Sequence, residues 1–216
     1  MSFLALAATL LMTSGPADSP VFVQQIGSAA VARVQQSGQG NSASVTQSGR
    51  TVVAEVRQTG ANNSAALDQN GTNLAATLEQ NGQANHITLA QQGLSTAVTL
   101  LQRGDRNSAA LRQVGTGQVD TITASQFGND HALDLLQNGA GNVLTAQQSG
   151  ARNTGKVTQV GPANTFAFYQ AGQGNQLDYA QAGNDAGSVT QQGSGLQLTM
   201  SQGAGAAPVI VVQTGR

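Results

Sequence analysis

The residues of this chain with the most to offer chemically are its carboxamides. Glutamine stands at Gln25, Gln36, Gln47, Gln58, Gln69, Gln80, Gln91, Gln102 and Gln113, each step being eleven residues. It resumes at Gln126, Gln137, Gln148, Gln159, Gln170 and Gln181, then at Gln191, Gln202 and Gln213. A carboxamide is neither a nucleophile nor an acid. It is a paired donor and acceptor. Repeated at one spacing, it suits stacking, in which each amide donates to the copy on one side and accepts from the copy on the other. The same role falls to the asparagines Asn41, Asn63, Asn85, Asn107, Asn142, Asn153, Asn164 and Asn175. The expected role of these amides is structural.

Little else suggests covalent or metal chemistry. There is no Cys, hence no disulfide, thiolate site or thiol nucleophile. His86 is expected to point outward and His131 to lie near a strand start. Neither belongs to a His/Asp/Glu cluster, so no metal site is expected. The Gly-rich segments lack the Gly-Lys-Ser/Thr of a phosphate loop, and the Gly-Gly-x-Gly-x-Asp calcium repeat is absent. No paired carboxylates and no nucleophile–base set are found. No catalytic residue and no cofactor are therefore expected, and the chain is not expected to be an enzyme.

The elements that carry the glutamines follow from alternation. In Asn41-Ser42-Ala43-Ser44-Val45-Thr46-Gln47, one face holds Asn41, Ala43, Val45 and Gln47, and the other holds the hydroxyls. A period of two marks a β-strand with one buried face. The residue two before each Gln is apolar throughout, from Val23 to Val211, with only Ala124 and Ala146 small. Gly follows each Gln by two residues, except that Ala204 follows Gln202, and supplies the turn. Two strands and two turns make a coil of about 22 residues, and eighteen strands make about nine coils. The expected fold is all-β: a β-solenoid of stacked two-strand coils, amyloid-like in its cross-β geometry. At the usual strand spacing such a column is roughly 43 Å tall.

Composition agrees with a thin core. Charged residues make up 9% of the chain and aromatics 3%, with no Trp; an ordinary domain has about 25% charged residues. A disordered chain usually carries many charges and prolines; this one has few charges and only 4 prolines. The net charge is -1 without a basic cluster, so no nucleic acid partner is expected. Arg33, Glu55, Arg57, Asp68, Glu79, Arg112, Asp134, Lys156 and Asp178 fall on outward positions. They form a solvated face, or gatekeepers against premature stacking. Asp120 and Asp185 count as inward but lie in off-period units; they are read as bulges or longer loops rather than buried acids.

At the start, Phe3 to Met12 is a short apolar run, and Gly15 and Ala17 are spaced like the residues before a signal-peptide cleavage site. Residues 1–17 are expected to be a signal peptide and residues 18–216 the repeat array.

The units resemble the curlin family, whose pattern has the form Gln-x-Gly-x-x-Asn-x-Ala-x-x-x-Gln. Gln36, Gly38, Asn41, Ala43 and Gln47 match it, as do Gln58 to Gln69 and Gln102 to Gln113. Gln80 to Gln91 and Gln159 to Gln170 match with Ile87 or Phe166 in the Ala place. The resemblance covers nearly everything from Val21 to Gly215. It implies secretion of a largely unfolded chain and polymerisation into curli-like amyloid fibres at the bacterial cell surface, serving biofilm matrix, adhesion and surface attachment. Expected partners are further copies of the chain, other curlin subunits or a nucleator, and dedicated export and chaperone proteins. The family's major subunit carries a longer Gly- and Asn-rich segment before its repeats, where this chain has only Asp18 to about Gln24.

Two other readings are weighed. One is a soluble solenoid of adhesin or ice-binding type that does not polymerise; Thr121 and Thr123 make one Thr-x-Thr pair of the kind such faces use. The other is an enzyme on a β-helix scaffold, which needs charged clusters that this sequence lacks.

Overall fold

A computed structural model describes residues 19–215. The expected signal peptide lies outside the described residues. Among them every regular element is a strand: β1 (Val21–Ser37), β2 (Ser42–Ala61), β3 (Ser64–Gln83), β4 (His86–Arg103), β5 (Ser108–Asn129), β6 (Ala132–Gly139), β7 (Val143–Ala151), β8 (Thr154–Val160), β9 (Thr165–Gln173), β10 (Gln176–Gln181), β11 (Ala186–Ser194), β12 (Gln197–Gln202) and β13 (Val209–Thr214).

Every pairing is parallel. Register advances by one coil at each step: Val45 lies on Leu67, Leu67 on Leu89, and Leu89 on Leu111. The result is a β-solenoid of nine two-strand coils. Its first sheet carries Gln25, Gln47, Gln69, Gln91, Gln113, Gln137, Gln159, Gln181 and Gln202, and its second carries the other nine glutamines.

Strands of six or seven residues are expected from alternation, yet β1 to β5 run for 17 to 22 residues. Coil-to-coil pairing continues around the corner in these elements, so each contributes to both sheets. From β6 onward the sheets are separate branches, β6-β8-β10-β12 and β7-β9-β11-β13.

The corner explains the glycine that follows each Gln. Gly49 has φ 134° and Gly60 has φ 112°, values that L side chains rarely adopt. Space forbids a side chain as well. A Cβ at Gly49 would collide with the carbonyl of Gly71 directly above it, and one at Gly60 with that of Gly82.

The core is one layer of side chains between the two sheets, including Val45, Leu67, Leu78, Ile87, Leu89, Leu100, Ile122 and Leu135. Each such buried residue contributes roughly 1.5–3 kcal/mol. Large residues on one sheet meet small ones on the other. Gly155 lies under the ring of Phe168, and Gly187 faces Tyr179 beside Phe166 of its own sheet. Phe166 stacks on Tyr179 with centroids 3.9 Å apart.

Both departures from the eleven-residue step are absorbed at corners. Thr96 pairs with Asp120, and Leu94 with Thr116. The extra residues therefore lie between Thr116 and Asp120, where Gly117 has open space around it. The shortened unit closes through Asn184, with φ 53°.

Candidate functional site

The glutamine columns are continuous. In the first sheet each Nε2 donates to the Oε1 of the next Gln, from Gln25 to Gln202, at 2.5–3.1 Å. In the second, the chain of bonds runs from Gln36 to Gln213 at 2.7–3.0 Å. The other amide hydrogen crosses to the facing sheet. Gln47 donates to Val31 O at 3.1 Å, Gln58 to Ser42 O at 3.0 Å and Gln69 to Val53 O at 3.1 Å. That second bond fixes the amide orientation, so the donors of the column all point one way, toward the C-terminal coil. Gln47, Gln69, Gln91, Gln113 and Gln137 are wholly buried, and burial is tolerable because each amide has partners.

The asparagines occupy strand starts and stack differently. The N–H of Asn63 donates to Asn41 Oδ1 at 3.1 Å, and its Nδ2 donates to the same oxygen at 3.0 Å. Asn85 and Asn107 repeat this geometry. Nδ2 also holds the corner: Asn63 reaches Thr59 O at 3.2 Å and Gly82 O at 2.9 Å. The essential contribution is an acceptor for the main-chain N–H one coil on. Asn153 and Asn175 continue the column of the first sheet, while Asn142 and Asn164 belong to the second.

Three residues outside the expected ladder set complete these columns. His131 follows Asn107 in the first sheet. Its N–H donates to Asn107 Oδ1 at 3.1 Å, and its Nδ1 accepts from Asn153 N–H at 3.3 Å. Asp120 precedes Asn142 in the second sheet, and its Oδ1 accepts Asn142 N–H at 2.8 Å. Asp185 follows Asn164 and accepts Ala206 N–H at 2.9 Å. The reading of Asp120 and Asp185 as bulge or loop acids is therefore corrected: they are 0% and 1% exposed. The inserted residues loop out ahead of Asp120, and the acid keeps the ladder place. Counting six residues back from Gln126, Gln137 and Gln191 finds all three.

Burial shifts the ionisable members. It pushes the Asp120 carboxyl above its ordinary value, offset in part by the Asn142 bonds. It lowers the His131 imidazole, against the opposing effect of nearby carbonyls and Asp130. Burial, with a smaller effect from Asp185, pushes the Tyr179 phenol up to about 12. It stays a neutral donor to Gln202 Oε1.

Outward residues divide by sheet. Charges on the outer face of the first sheet recur along the column, as Asp68, Arg112, Asp134, Lys156 and Asp178. On the second sheet, Thr77, Thr99, Thr123 and Thr145 lie in register in successive coils. Of the Thr-x-Thr pair seen in sequence, Thr123 belongs to this four-residue column, while Thr121 stacks between Ala97 and Val143. Among the described residues, no group of three or more His, Asp or Glu side chains is placed to hold a metal ion.

No curated protein matches the chain. The family of the curlin associated repeat matches residues 17–49, 54–82 and 60–93. The matched unit has the ladder Gln, corner Gly and strand-start Asn described above, and the same unit continues through the later coils. Over these residues the chain carries curlin associated repeats.

Proposed function

We propose that this chain is a secreted structural subunit, not an enzyme, that polymerises into curli-like amyloid fibres at the bacterial cell surface. The observation that carries this reading is the sameness of the coil-to-coil step. Each coil offers the next a parallel strand edge and, on both sheets, a Gln amide in register. A coil from another copy meets the same terms on the second sheet, where Gln213 Nε2 donates only to Gln197 O; on the first, Gln202 Nε2 also donates to Ala207 O at 3.0 Å, a bond the incoming coil replaces. Among the described residues β1 pairs only with β2, β12 only with β10 and β13 only with β11, and Gln25 Oε1 is a buried acceptor without a partner. Unpaired edges template the addition of further strands. The one-way amide columns favour addition of an N-terminal coil onto a C-terminal one, donor to acceptor.

Such fibres serve biofilm matrix, adhesion and surface attachment. The partners are copies of the chain, other curlin subunits or a nucleator, and dedicated export and chaperone proteins. The test is incubation of the purified chain from Asp18 with thioflavin fluorescence and fibre diffraction. Reflections near ~4.7 Å and ~10 Å, after a lag that seeds abolish, are expected. A chain that stays monomeric and unfolds cooperatively without dye response refutes the reading.

A further inference from the structure

The two outer faces of the solenoid differ in charge. Each strand shows three outward side chains, one, three and five places before its ladder Gln. On the second sheet, charges at these positions are confined to the first three coils: Arg33, Glu55, Arg57 and Glu79, which sum to zero. From the coil of Gln102 to that of Gln213, none of the eighteen outward positions is charged. Over the same height the first sheet carries Arg112, Asp134, Lys156 and Asp178. Arg103 lies just beyond its ladder Gln at the corner, over the Phe127 ring and 3.7 Å from Glu79.

The bare face carries uncharged residues, most of them small or apolar with Gln147 and Tyr169 among them, and Thr99, Thr123 and Thr145 run along the middle of its first three coils. Ile210 and Val212 remain 79% and 65% exposed at its C-terminal end. Side chains of this size let two sheets approach to about 10 Å and interdigitate.

We infer that this uncharged face is a lateral interface, and that its occupant is the same face of a second column of this chain. Three features commit it to a second copy. The face is self-complementary, since it has no charge to repel its own image. The charged strip beside it has two Arg and two Glu and is neutral as a whole. The area also fits pairing of fibres rather than of free chains. Six coils at ~4.8 Å by six residues at ~3.3 Å give roughly 600 Å² per copy, short of the about 800 Å² per partner of a stable complex. Along a fibre the patch recurs with every subunit and its contributions sum. The first sheet stays outside in contact with water, as its charges require.

This inference rests on the proposed polymerisation, and the experiment separates the two. Mass per length is measured by electron microscopy on fibres of the wild type, of Thr123→Lys/Thr145→Lys and of the control Ala110→Lys on the first sheet. One column of a 21.8 kDa chain over ~43 Å weighs ~0.5 kDa per Å, and a pair weighs ~1. The wild type and Ala110→Lys are expected at the paired value, and the double variant at half of it with unchanged seeding. Wild-type fibres of single-column mass, or a double variant that keeps the paired value, overturn the lateral interface and leave polymerisation standing. No fibre at all overturns both. Should the double variant fail to polymerise, cysteine decides. The chain has no Cys, and within one column the copies of residue 145 are ~43 Å apart. Overlap of the bare patches brings Thr145 to within one coil of its counterpart across the interface. A short bis-maleimide is expected to link Thr145→Cys fibres into chain dimers and to leave Ala110→Cys fibres unlinked. Equal linking of both, or of neither, overturns the proposal.

Discussion

His131 and Asn153 share the bond that elsewhere joins two asparagines. Asn153 N–H donates to His131 Nδ1 at 3.3 Å, and His131 Nε2 lies 3.1 Å from Phe127 O. Asn153 makes the matching reach, Nδ2 to Ser149 O at 2.9 Å. Nδ1 must accept and Nε2 must donate, so the imidazole is neutral with its hydrogen on Nε2. The ring imitates an asparagine, nitrogen for oxygen.

This predicts a loss of stability in acid. Burial lowers the folded-state pKa of His131 from its ordinary 6.5. Between the two values the unfolded chain binds more protons, so stability rises with pH there. The contribution is complete above pH 6.5 and lost as pH falls toward the lowered pKa. Protonation also removes the acceptor that Asn153 N–H uses. His131→Asn is expected to keep both bonds and to abolish the pH dependence in this window. Urea melts at about pH 5 and about pH 7.5, below and above the ordinary imidazole value, test it, and an unchanged difference between the two counts against it.

Asp120 has the opposite sign. Its folded-state pKa is raised by burial, so the folded chain holds its proton more tightly. The contribution is complete below the ordinary value of 3.8 and lost as pH rises through the raised one. At neutral pH the carboxyl is ionised in the unfolded chain, whereas in the fold its Oδ2 is buried without a partner. Asp120→Asn keeps an oxygen for Asn142 N–H and removes the charge. It is expected to raise the unfolding midpoint at neutral pH and to leave it nearly unchanged at about pH 3, where the acid is protonated in both states. A variant less stable than wild type at neutral pH defeats the argument.

Gln69 tests the glutamine column. Its Nε2 serves Gln91 Oε1 at 2.7 Å and Val53 O at 3.1 Å, and its Oε1 accepts from Gln47 at 2.9 Å. Gln69→Leu fits the apolar layer but leaves these buried partners short of a bond. The expected cost is about 2–4 kcal/mol, from groups worth about 1–3 kcal/mol each. The exposed Gln92 lies outside the column and is the control; Gln92→Leu is expected to stay within about 0.5 kcal/mol. Equal effects at the two sites exclude a special role for the column.

The coil and both glutamine columns are legible in the sequence because they depend on one spacing and on the alternation of each strand. What counting misses lies at corners. The insertion before Asp120 shifts a forward count, although a count back from Gln126 is unaffected. His131 is hidden by its identity, since only the bonds made by Nδ1 and Nε2 reveal it as an asparagine substitute. The threonine column escapes a unit-by-unit comparison because neighbours in space are 22 residues apart, or 24 across the insertion, rather than eleven. Size matching within the core is a further case: nothing in the spacing says that Gly155 and Gly187 are there to admit aromatic rings.

Gly187 and Tyr179 give that matching a test. A Cβ on Gly187 would lie 2.5 Å from Tyr179 Oη, 3.0 Å from Gln202 Oε1 and 3.2 Å from Phe166 Cδ2. Gly187→Ala therefore overpacks the layer, at an expected cost of about 1–3 kcal/mol. Tyr179→Phe removes the hydroxyl that crowds the site. Gln202 Oε1 keeps its bond from Gln181 Nε2 at 3.0 Å, so this change alone is expected to cost only about 1 kcal/mol. With the hydroxyl gone, the tightest of the three contacts is relieved. The double variant should be more stable than the sum of the single changes predicts, by a coupling of about 0.5–3 kcal/mol. Urea unfolding of the four proteins measures it. Strict additivity would mean that the backbone, not the tyrosine, sets the need for glycine at position 187.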